Sequence, residues 1–255
     1  VMVSEYMLQQ TPVNRVLPKW NEWMERWPTP KDLAQATPAQ VITAWGRLGY
    51  PRRALRLHAA AQIIAEDFNN KVPEDQETLQ LLPGIGEYTA AAIAAFAFEQ
   101  RSLVMDVNIR RLLVRAIDGE EHPKPAPTAR EKARRLAVLP EKNAHVWAAA
   151  TMELGALVCT SKNPTCELCP IIGQCQWRKN GYPKTDLVRK SQDWHGTDRK
   201  CRGTIVQALR ENESLTEAAI KKLWPDESQV EKALKTLAED LLIQRLPRNR
   251  YRLPQ

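Results

Sequence analysis

Four of the five cysteines in this 255-residue chain lie within 17 consecutive residues, and their thiols are the side chains best suited to hold a metal. Six, two and five residues separate them in turn. They are Cys159, Cys166, Cys169 and Cys175. A secreted disulfide framework would spread its cysteines along a short chain, so this spacing favours a metal or iron–sulfur site in a reducing compartment. The remaining Cys201 is expected to be an unpaired thiol.

A second candidate site is the run Leu-Pro-Gly-Ile-Gly at residues 82–86, between two helical patterns. Its two glycines allow the backbone to turn tightly and bring its amides close to a ligand. The following helix begins there, so its first N–H groups and the positive end of its dipole can receive a phosphate. Many such turns merely connect two helices, so this run alone is modest support for a phosphate site.

Asp106 follows Gly86 by 20 residues and ends the apolar run 103–105. It is followed by Asn108 and by arginines at 110, 111 and 115 on a predicted helix. A carboxylate that emerges from an apolar segment beside basic residues is a catalytic candidate. Aspartate also caps helix N-termini well, and one residue can fill both roles.

Composition and charge are compatible with a polyanionic partner. The chain has 37 Lys plus Arg against 30 Asp plus Glu, a net charge of +7. That value favours nucleic acid only weakly, but arginines near Tyr50, near Asp106 and in the C-terminal region make the preference more specific. No run approaches the roughly 20 apolar residues that span a bilayer.

The elements that must position these residues are helices. Up to about residue 160, apolar spacings of three and four alternate with turns marked by proline or glycine. Three threonines precede predicted helices as N-caps, and they are Thr29, Thr37 and Thr128. The pattern predicts an all-α fold with many short helices around one core.

The pattern changes after a break at residues 181–183. Predicted helices at 203–210, 215–224 and 230–238 precede a β-hairpin made of 241–246 and 250–253. Three helices and a hairpin indicate a small winged-helix module, and the alternative is a generic helical tail. We therefore expect a main domain at 1–180, a linker at 181–200 and the module at 201–255.

Together, residues 82–86, Asp106 and the four cysteines resemble the helix-hairpin-helix, Gly/Pro-rich-loop, aspartate superfamily of DNA glycosylases. The cysteine spacing is similar to the [4Fe–4S] loop of that superfamily, here residues 159–175. Four thiolates suit such a cluster. Zinc is the alternative, although zinc sites usually show two Cys-x2-Cys pairs and only Cys166 and Cys169 form one. The resemblance implies an endonuclease III-like helical fold.

Two positions indicate the branch of the superfamily. Residues 3–11, Val-Ser-Glu-Tyr-Met-Leu-Gln-Gln-Thr, are similar to the start of MutY-type adenine DNA glycosylases, where the glutamate is catalytic. Endonuclease III enzymes lack that carboxylate and carry a nucleophilic lysine where this chain has Tyr88. A lysine can form a Schiff base with the sugar, and a tyrosine cannot. The resemblance therefore implies a monofunctional glycosylase without strong lyase activity.

The resemblance also implies roles for individual residues. Glu5 would protonate adenine and then activate water, Asp106 would stabilise the positive sugar, and Tyr88 and Asn108 would orient the pair. The implied DNA contacts are Leu8, Gln10, Tyr50, Arg52, Gly84, Ile85, Gly86 and Lys162. Of these, Gln10 and Tyr50 would insert between the bases of the duplex, and we call them the wedge residues. This chain departs from the family's pattern at two positions near the expected adenine pocket, with Pro51 in place of a second tyrosine and Ala149 in place of a frequent polar residue.

The C-terminal region does not resemble the pyrophosphohydrolase-like domain that reads 8-oxoguanine in many relatives. We expect it to add general duplex affinity through five basic residues. They are Lys200, Arg202, Arg248, Arg250 and Arg252.

The expected activity is excision of adenine opposite 8-oxoguanine or guanine by a monomer acting on double-stranded DNA. We expect no membrane association and a bacterial cytoplasmic, nucleoid-associated location. The start at Val1 indicates a fragment that lacks its N-terminal segment. Two alternatives stay open: excision of another mispaired base, such as thymine opposite guanine, and a non-catalytic iron–sulfur DNA-binding protein. The joint presence of Glu5 and Asp106 favours catalysis, because a binding module needs neither carboxylate.

Overall fold

A computed structural model describes residues 1–185 and 196–255, and most of them are helical. The α-helices are α1 (Met2–Leu8), α2 (Val13–Arg26), α3 (Pro30–Ala34), α4 (Pro38–Trp45), α5 (Arg52–Asp67), α6 (Gln76–Leu81), α7 (Glu87–Phe98), α8 (Val107–Leu113), α9 (Ala129–Val138), α10 (Ala144–Leu157), α11 (Gln176–Lys179), α12 (Asp198–Glu211), α13 (Glu217–Lys221) and α14 (Glu227–Glu239). A π-helical turn, Val114–Asp118, extends α8, and short 3₁₀ turns occur at Gly46–Leu48, Cys166–Leu168 and Ile172–Gln174. None of the helices in this part of the chain is both long and apolar enough to cross a bilayer.

The predicted N-caps explain where several helices begin. Thr29 and Thr37 each accept a hydrogen bond from a backbone amide three residues on, and the side chain at that position bonds back to the cap. A proline follows each threonine as the first helical residue, where its missing N–H costs nothing. Thr128 caps α9 in the same way through the amide of Glu131. The local pattern therefore predicted these boundaries correctly.

The chain divides into two compact units. The first unit comprises residues 1–2, 74–80 and 85–189, of which 186–189 lie outside the described residues. Its core is built on the alanine-rich α7, on α8 and on α10, with Ala92, Val104 and Ile109 fully or almost fully buried. Small side chains on α7 let neighbouring helices pack closely against it.

The second unit comprises residues 3–73, 81–84 and 190–255, of which 190–195 lie outside the described residues. Trp23 of α2 makes edge-to-face contacts with Trp27 and Trp45, at 4.9 and 5.5 Å between ring centroids. Such pairs add to the stabilisation that comes from burial of the rings.

The C-terminal part of the second unit is a helical module with a small sheet. Antiparallel strands β1 (Leu215–Thr216), β2 (Gln244–Leu246) and β3 (Arg250–Arg252) lie in the order β1-β3-β2. The expected helices and hairpin are present, with one correction. The segment predicted as a helix from residue 215 begins as a strand, because Leu215 and Thr216 pair with Tyr251 and Arg250.

The C-terminal module and the N-terminal helices share one hydrophobic core. Ile42 of α4 is buried in a cluster with Ile205, Leu209 and other apolar residues of the module. Arg210 donates a hydrogen bond of 3.1 Å to the carbonyl of Ile42. Helix α12 begins at Asp198, within the stretch expected to be a linker, and residues 186–195 of that stretch lie outside the described residues. The expected boundaries at 180 and 201 stay predictions.

Candidate functional site

The loop between α6 and α7 is fixed by the residue that follows Glu5. Tyr6 is fully buried, and its hydroxyl donates a hydrogen bond to the carbonyl of Pro83. Burial raises the pKa of this hydroxyl well above its ordinary value, so it stays protonated as a donor. Gly84 has φ +86°, and a Cβ there would lie 2.8 Å from Cε1 of Tyr6. The glycine is required by both its backbone conformation and this close approach.

Helix α7 begins just beyond this loop and has no side-chain cap. Gly86 is its extended N-cap residue and lies exposed, and Ile85 beside it is buried. Since the helix has twelve residues, its first amides and the positive end of its dipole form an N-terminus suited to an anion. The phosphate site expected at residues 82–86 stays a prediction.

Glu5 lies on α1, in the second unit, and is only 8% exposed. Its neighbours Tyr6 and Met7 are fully buried, and Leu8 is half-buried. Glu5 is thus largely shielded from water, and its role as the general acid stays a prediction.

Asp106, in the first unit, caps α8. Its Oδ1 accepts hydrogen bonds from the backbone amides of Asn108 and Ile109, at 2.6 and 3.4 Å. Both amides bond to Oδ1, and these two bonds hold the carboxylate in one orientation. Asp106 is half-buried. The cap and the candidate catalytic role are compatible, as the sequence suggested.

Asn108 and Tyr88 belong to the same unit as Asp106. The Oδ1 of Asn108 accepts a hydrogen bond of 2.9 Å from Arg111, and the backbone carbonyl of Asn108 faces Gly155 of α10. A Cβ on Gly155 would lie 2.5 Å from that carbonyl oxygen, so α10 packs directly on the start of α8. Tyr88 is half-buried and packs against the cluster that contains Val104 and Ile109.

Arg53 ties the two predicted wedge segments together. This buried guanidinium donates to the carbonyls of Tyr6 and Met7, at 2.9 and 3.0 Å, and to that of Gln9. It also donates to Thr11 Oγ1 at 2.9 Å and to the carbonyl of Gly49 at 3.0 Å. Burial lowers its pKa to about 10, so it stays charged at neutral pH.

The wedge candidates flank this arginine. Gln10 and Tyr50 have φ of +57° and +48°, an uncommon conformation for such residues, and both are exposed. Sequence reasoning selected Arg52 and overlooked Arg53, because adjacent arginines have the same local pattern and only tertiary packing decides which one is buried. Arg52 lies 3.1 Å from Asp240 in an ion pair.

The arginines after Asp106 correct one expectation. Arg110, Arg111 and Arg115 are 6, 7 and 1% exposed, so they do not form a basic surface for nucleic acid. Arg110 pairs with Glu131 at 2.8 Å, and Arg111 donates to the carbonyl of Cys159 at 2.7 Å. Their charges are used inside the protein because the carbonyls and the carboxylate around them replace water as partners. The net charge near Asp106 is therefore no specific indicator of DNA.

The four cysteines of the predicted loop line one cavity. The remaining lining is mostly apolar, with Leu112, Ile172 and Trp177 among the contributors. Burial raises the pKa of the Cys166 and Cys169 thiols, and the Cys159 thiol raises that of Cys166 further. Thiols in this setting need a bound cation to become thiolate ligands.

Four thiols are a donor set that suits an iron–sulfur cluster, and zinc accepts the same ligands. Within residues 1–185 and 196–255, no three His, Cys, Asp or Glu side chains are grouped closely enough to hold a single metal ion. The four cysteines do line the same cavity. Lys162 lies exposed in the loop between the first two of these cysteines.

Arg115 supports this cavity and was not predicted to do so. Its guanidinium lies 3.4 Å from the Cys159 sulfur and 4.5 Å from the centroid of the Trp177 ring. It also donates to the carbonyls of Glu121 and Thr160, at 2.9 and 2.8 Å. These contacts hold the guanidinium against the wall of the cavity that the cysteines line.

Comparison with known proteins identifies relatives along the whole chain. A family model described as HhH-GPD superfamily base excision DNA repair protein matches residues 3–137. The adenine DNA glycosylase of Mycobacterium tuberculosis (strain ATCC 25618 / H37Rv) is 46% identical over 258 residues, which cover 100% of this chain and 84% of that protein. The adenine DNA glycosylase of Homo sapiens is 42% identical over 182 residues, covering 70% of this chain and 33% of the human protein.

Solved structures share the fold. A thermostable thymine-DNA glycosylase superposes with a TM-score of 0.63 at 20% identity, covering 70% of this chain and 83% of that one. A non-covalent endonuclease III–DNA complex gives a TM-score of 0.61, also at 20% identity, covering 71% and 83%. The predicted helix-hairpin-helix fold is thereby confirmed.

Proposed function

Because this chain belongs to the HhH-GPD superfamily of base excision DNA repair proteins, we propose that it is a glycosylase that removes adenine from duplex DNA. The observation that carries the proposal is the 46% identity, over the whole chain, with an adenine DNA glycosylase. The proposed substrate is adenine opposite 8-oxoguanine or guanine, and the proposed products are free adenine and an abasic site.

In the proposed reaction, Glu5 gives its proton to N7 of adenine. The bond between C1′ and N9 breaks, and its electron pair leaves with the base. Asp106 stabilises the oxocarbenium ion or bonds to C1′, while Glu5, now ionised, takes a proton from the water that adds to C1′. Support comes from the burial of Glu5 and from the two amides that orient Asp106.

DNA would be held by the hairpin and opened by the wedge residues. The amides at Gly84, Ile85 and Gly86 are proposed to bind a phosphate, with Arg52 and Lys162 as further phosphate contacts. Gln10 and Tyr50 would enter the duplex as the adenine leaves the stack. Leu8 would line the pocket that receives the base.

The proposed cofactor is a [4Fe–4S] cluster held by the four cysteines. When bound, the cluster would cross-link the loop 159–175 and thereby fix the position of Lys162. Arg115 would neutralise part of the negative charge of the four thiolates from beside Cys159.

We propose no strong lyase activity, because Tyr88 cannot form a Schiff base. Borohydride reduction of a mixture with mispaired DNA should trap no covalent complex. A trapped complex that vanished with a substitution of one lysine would contradict this part of the proposal.

The C-terminal module is proposed to add duplex affinity, and its structure narrows the residues involved. Arg202 pairs with Asp240, and Arg250 bonds to Ser214 at 2.7 Å, so both have intramolecular partners. Arg248 lies exposed at the tip of the β2–β3 hairpin. Deletion of the module would expose Ile42 and its apolar neighbours, so Arg248→Gln is the better test. We expect weaker DNA binding and a lower salt dependence, and unchanged affinity would oppose this role.

The central experiment measures base release from duplexes with adenine opposite 8-oxoguanine. Native protein is compared with Glu5→Gln and Asp106→Asn, and we expect each substitution to slow release by at least about 100-fold. If neither did, the mechanism would be wrong. Release of thymine opposite guanine without release of adenine would support the alternative base. Tight DNA binding without any base release would support the alternative of a non-catalytic DNA-binding protein.

The protein is proposed to act as a monomer on cytoplasmic, nucleoid-associated DNA.

A further inference from the structure

Arg199 of the C-terminal module contacts Tyr50. Its Nη1 donates a hydrogen bond of 2.8 Å to the Tyr50 hydroxyl, and its guanidinium carbon lies 5.8 Å from the ring centroid. Arg53 lies 5.7 Å from the same centroid, so one aromatic ring is near two guanidinium groups, one from its own segment and one from the C-terminal module. Cations near an aromatic ring are attracted by its electron-rich face.

The backbone of Tyr50 needs this support. Its φ of +48° is in the left-handed region, between Gly49 at φ +83° and Pro51. A non-glycine residue in that region is strained and persists only where the surroundings hold it. Tyr50 is 44% exposed, so burial of the ring alone does not fix its position.

The module is anchored firmly enough to provide the support. It shares a core with Ile42, and Arg210 bonds to the Ile42 carbonyl at 3.1 Å. Asp240 pairs with Arg52, two residues after Tyr50, at 3.1 Å. The N-terminus of α12 is capped by Thr197, so Arg199 projects from an ordered first turn. Arg199 thus belongs to a fixed surface beside the loop.

We infer that Arg199 is a positioning residue for Tyr50, and that the C-terminal module thereby helps to open the duplex at a mispair. The inference rests on the proposed function in one respect, since it takes Tyr50 to be the residue that enters DNA. By holding the hydroxyl and flanking the ring, Arg199 keeps the wedge in its inserting orientation before DNA arrives. Preorganisation of this kind removes the cost of ordering the side chain on binding.

The first test needs no activity. Full-length protein is labelled with 3-fluorotyrosine, and the resonance of Tyr50 among the five tyrosines is assigned with Tyr50→Phe. Arg199→Met should shift or broaden that fluorine resonance in DNA-free protein, and Arg199→Lys should restore it in part. Lys235→Met, an exposed lysine on α14 of the same module, is the matched control and should leave it unchanged. An unchanged Tyr50 resonance in Arg199→Met would overturn the inference.

The second test measures single-turnover base release and the opening of the mispair, reported by 2-aminopurine beside it. Arg199→Met and Tyr50→Phe should each slow opening and release about 3-fold to 10-fold, the scale of one charged hydrogen bond at a partly exposed site. Their double variant should be no slower than the worse single variant, because both remove the same contact. Multiplying effects would oppose the inference. If native protein released no adenine, the proposed function would fail while the fluorine result still decided whether Arg199 holds Tyr50.

Discussion

The hydroxyl of Tyr6 is bonded to the carbonyl of Pro83, which joins the helix of the candidate acid to the hairpin loop. Glu5 precedes this tyrosine and Gly84 follows the proline, so the bond links two segments with separate proposed tasks. A change in either partner should therefore alter both the stability of the protein and its affinity for DNA.

We expect Gly84→Ala to destabilise the protein by roughly 1–3 kcal/mol and to weaken DNA binding. The new Cβ would meet Tyr6 at 2.8 Å and would sit at φ +86°. Urea unfolding and a fluorescence binding assay measure the two effects. Gly203→Ala, on α12 with nothing within 4 Å of its Cβ, is the control and should be neutral or slightly stabilising. Equal stability of the two variants would refute the steric explanation.

We expect Gly155→Ala to destabilise the first unit by about 1–3 kcal/mol, since its Cβ would lie 2.5 Å from the Asn108 carbonyl oxygen. Backbone atoms at this position cannot move aside as a flexible side chain could. Base release should slow as well, because the start of α8 carries Asp106. Glu153→Ala, on an exposed position of α10, should preserve both the unfolding midpoint and the rate.

The cluster proposal predicts different outcomes for two cysteine substitutions. Cys166→Ser should lower the iron content and visible absorbance of the purified protein, because one thiolate ligand is lost. Cys201→Ala should keep both, since Cys201 is buried in the apolar core of the C-terminal module. Elemental analysis decides the outcome. Stoichiometric zinc without iron would support the zinc alternative.

Stability should fall in mild acid partly because of His58. Burial on α5 lowers its pKa below the ordinary value of 6.5, although hydrogen bonds with the Ala36 and Ala34 backbone oppose the shift. A base with a depressed pKa binds its proton more readily when unfolded, so stability is fully present above about pH 6.5 and declines as pH falls below it. Urea midpoints at pH 7.5 and 5.5 should differ less in His58→Gln than in the native protein. An identical decline in both would count against this cause.

Local patterns in the sequence determined the elements and most of the candidate chemistry. Threonine caps, proline at first helical positions and the glycines of residues 82–86 act through neighbours within a few residues, so they could be read in order. The cysteine spacing was equally informative, because four thiols within 17 residues can reach one cluster whatever surrounds them. The family resemblance, confirmed by the comparisons, rests on these same local motifs.

Tertiary structure alone decided which charged groups are buried and which distant segments meet. Arg53 and Arg115 are indistinguishable in sequence from surface arginines, yet carbonyls from several segments enclose them. Leu215 became a strand because Tyr251 lies beside it, and Tyr50 meets Arg199 across 149 positions of sequence. Burial and pairing of this kind depend on contacts between residues far apart in the chain, which carry no periodic signal. For the same reason the sequence predicted the C-terminal module but not its contacts with Ile42 and Tyr50.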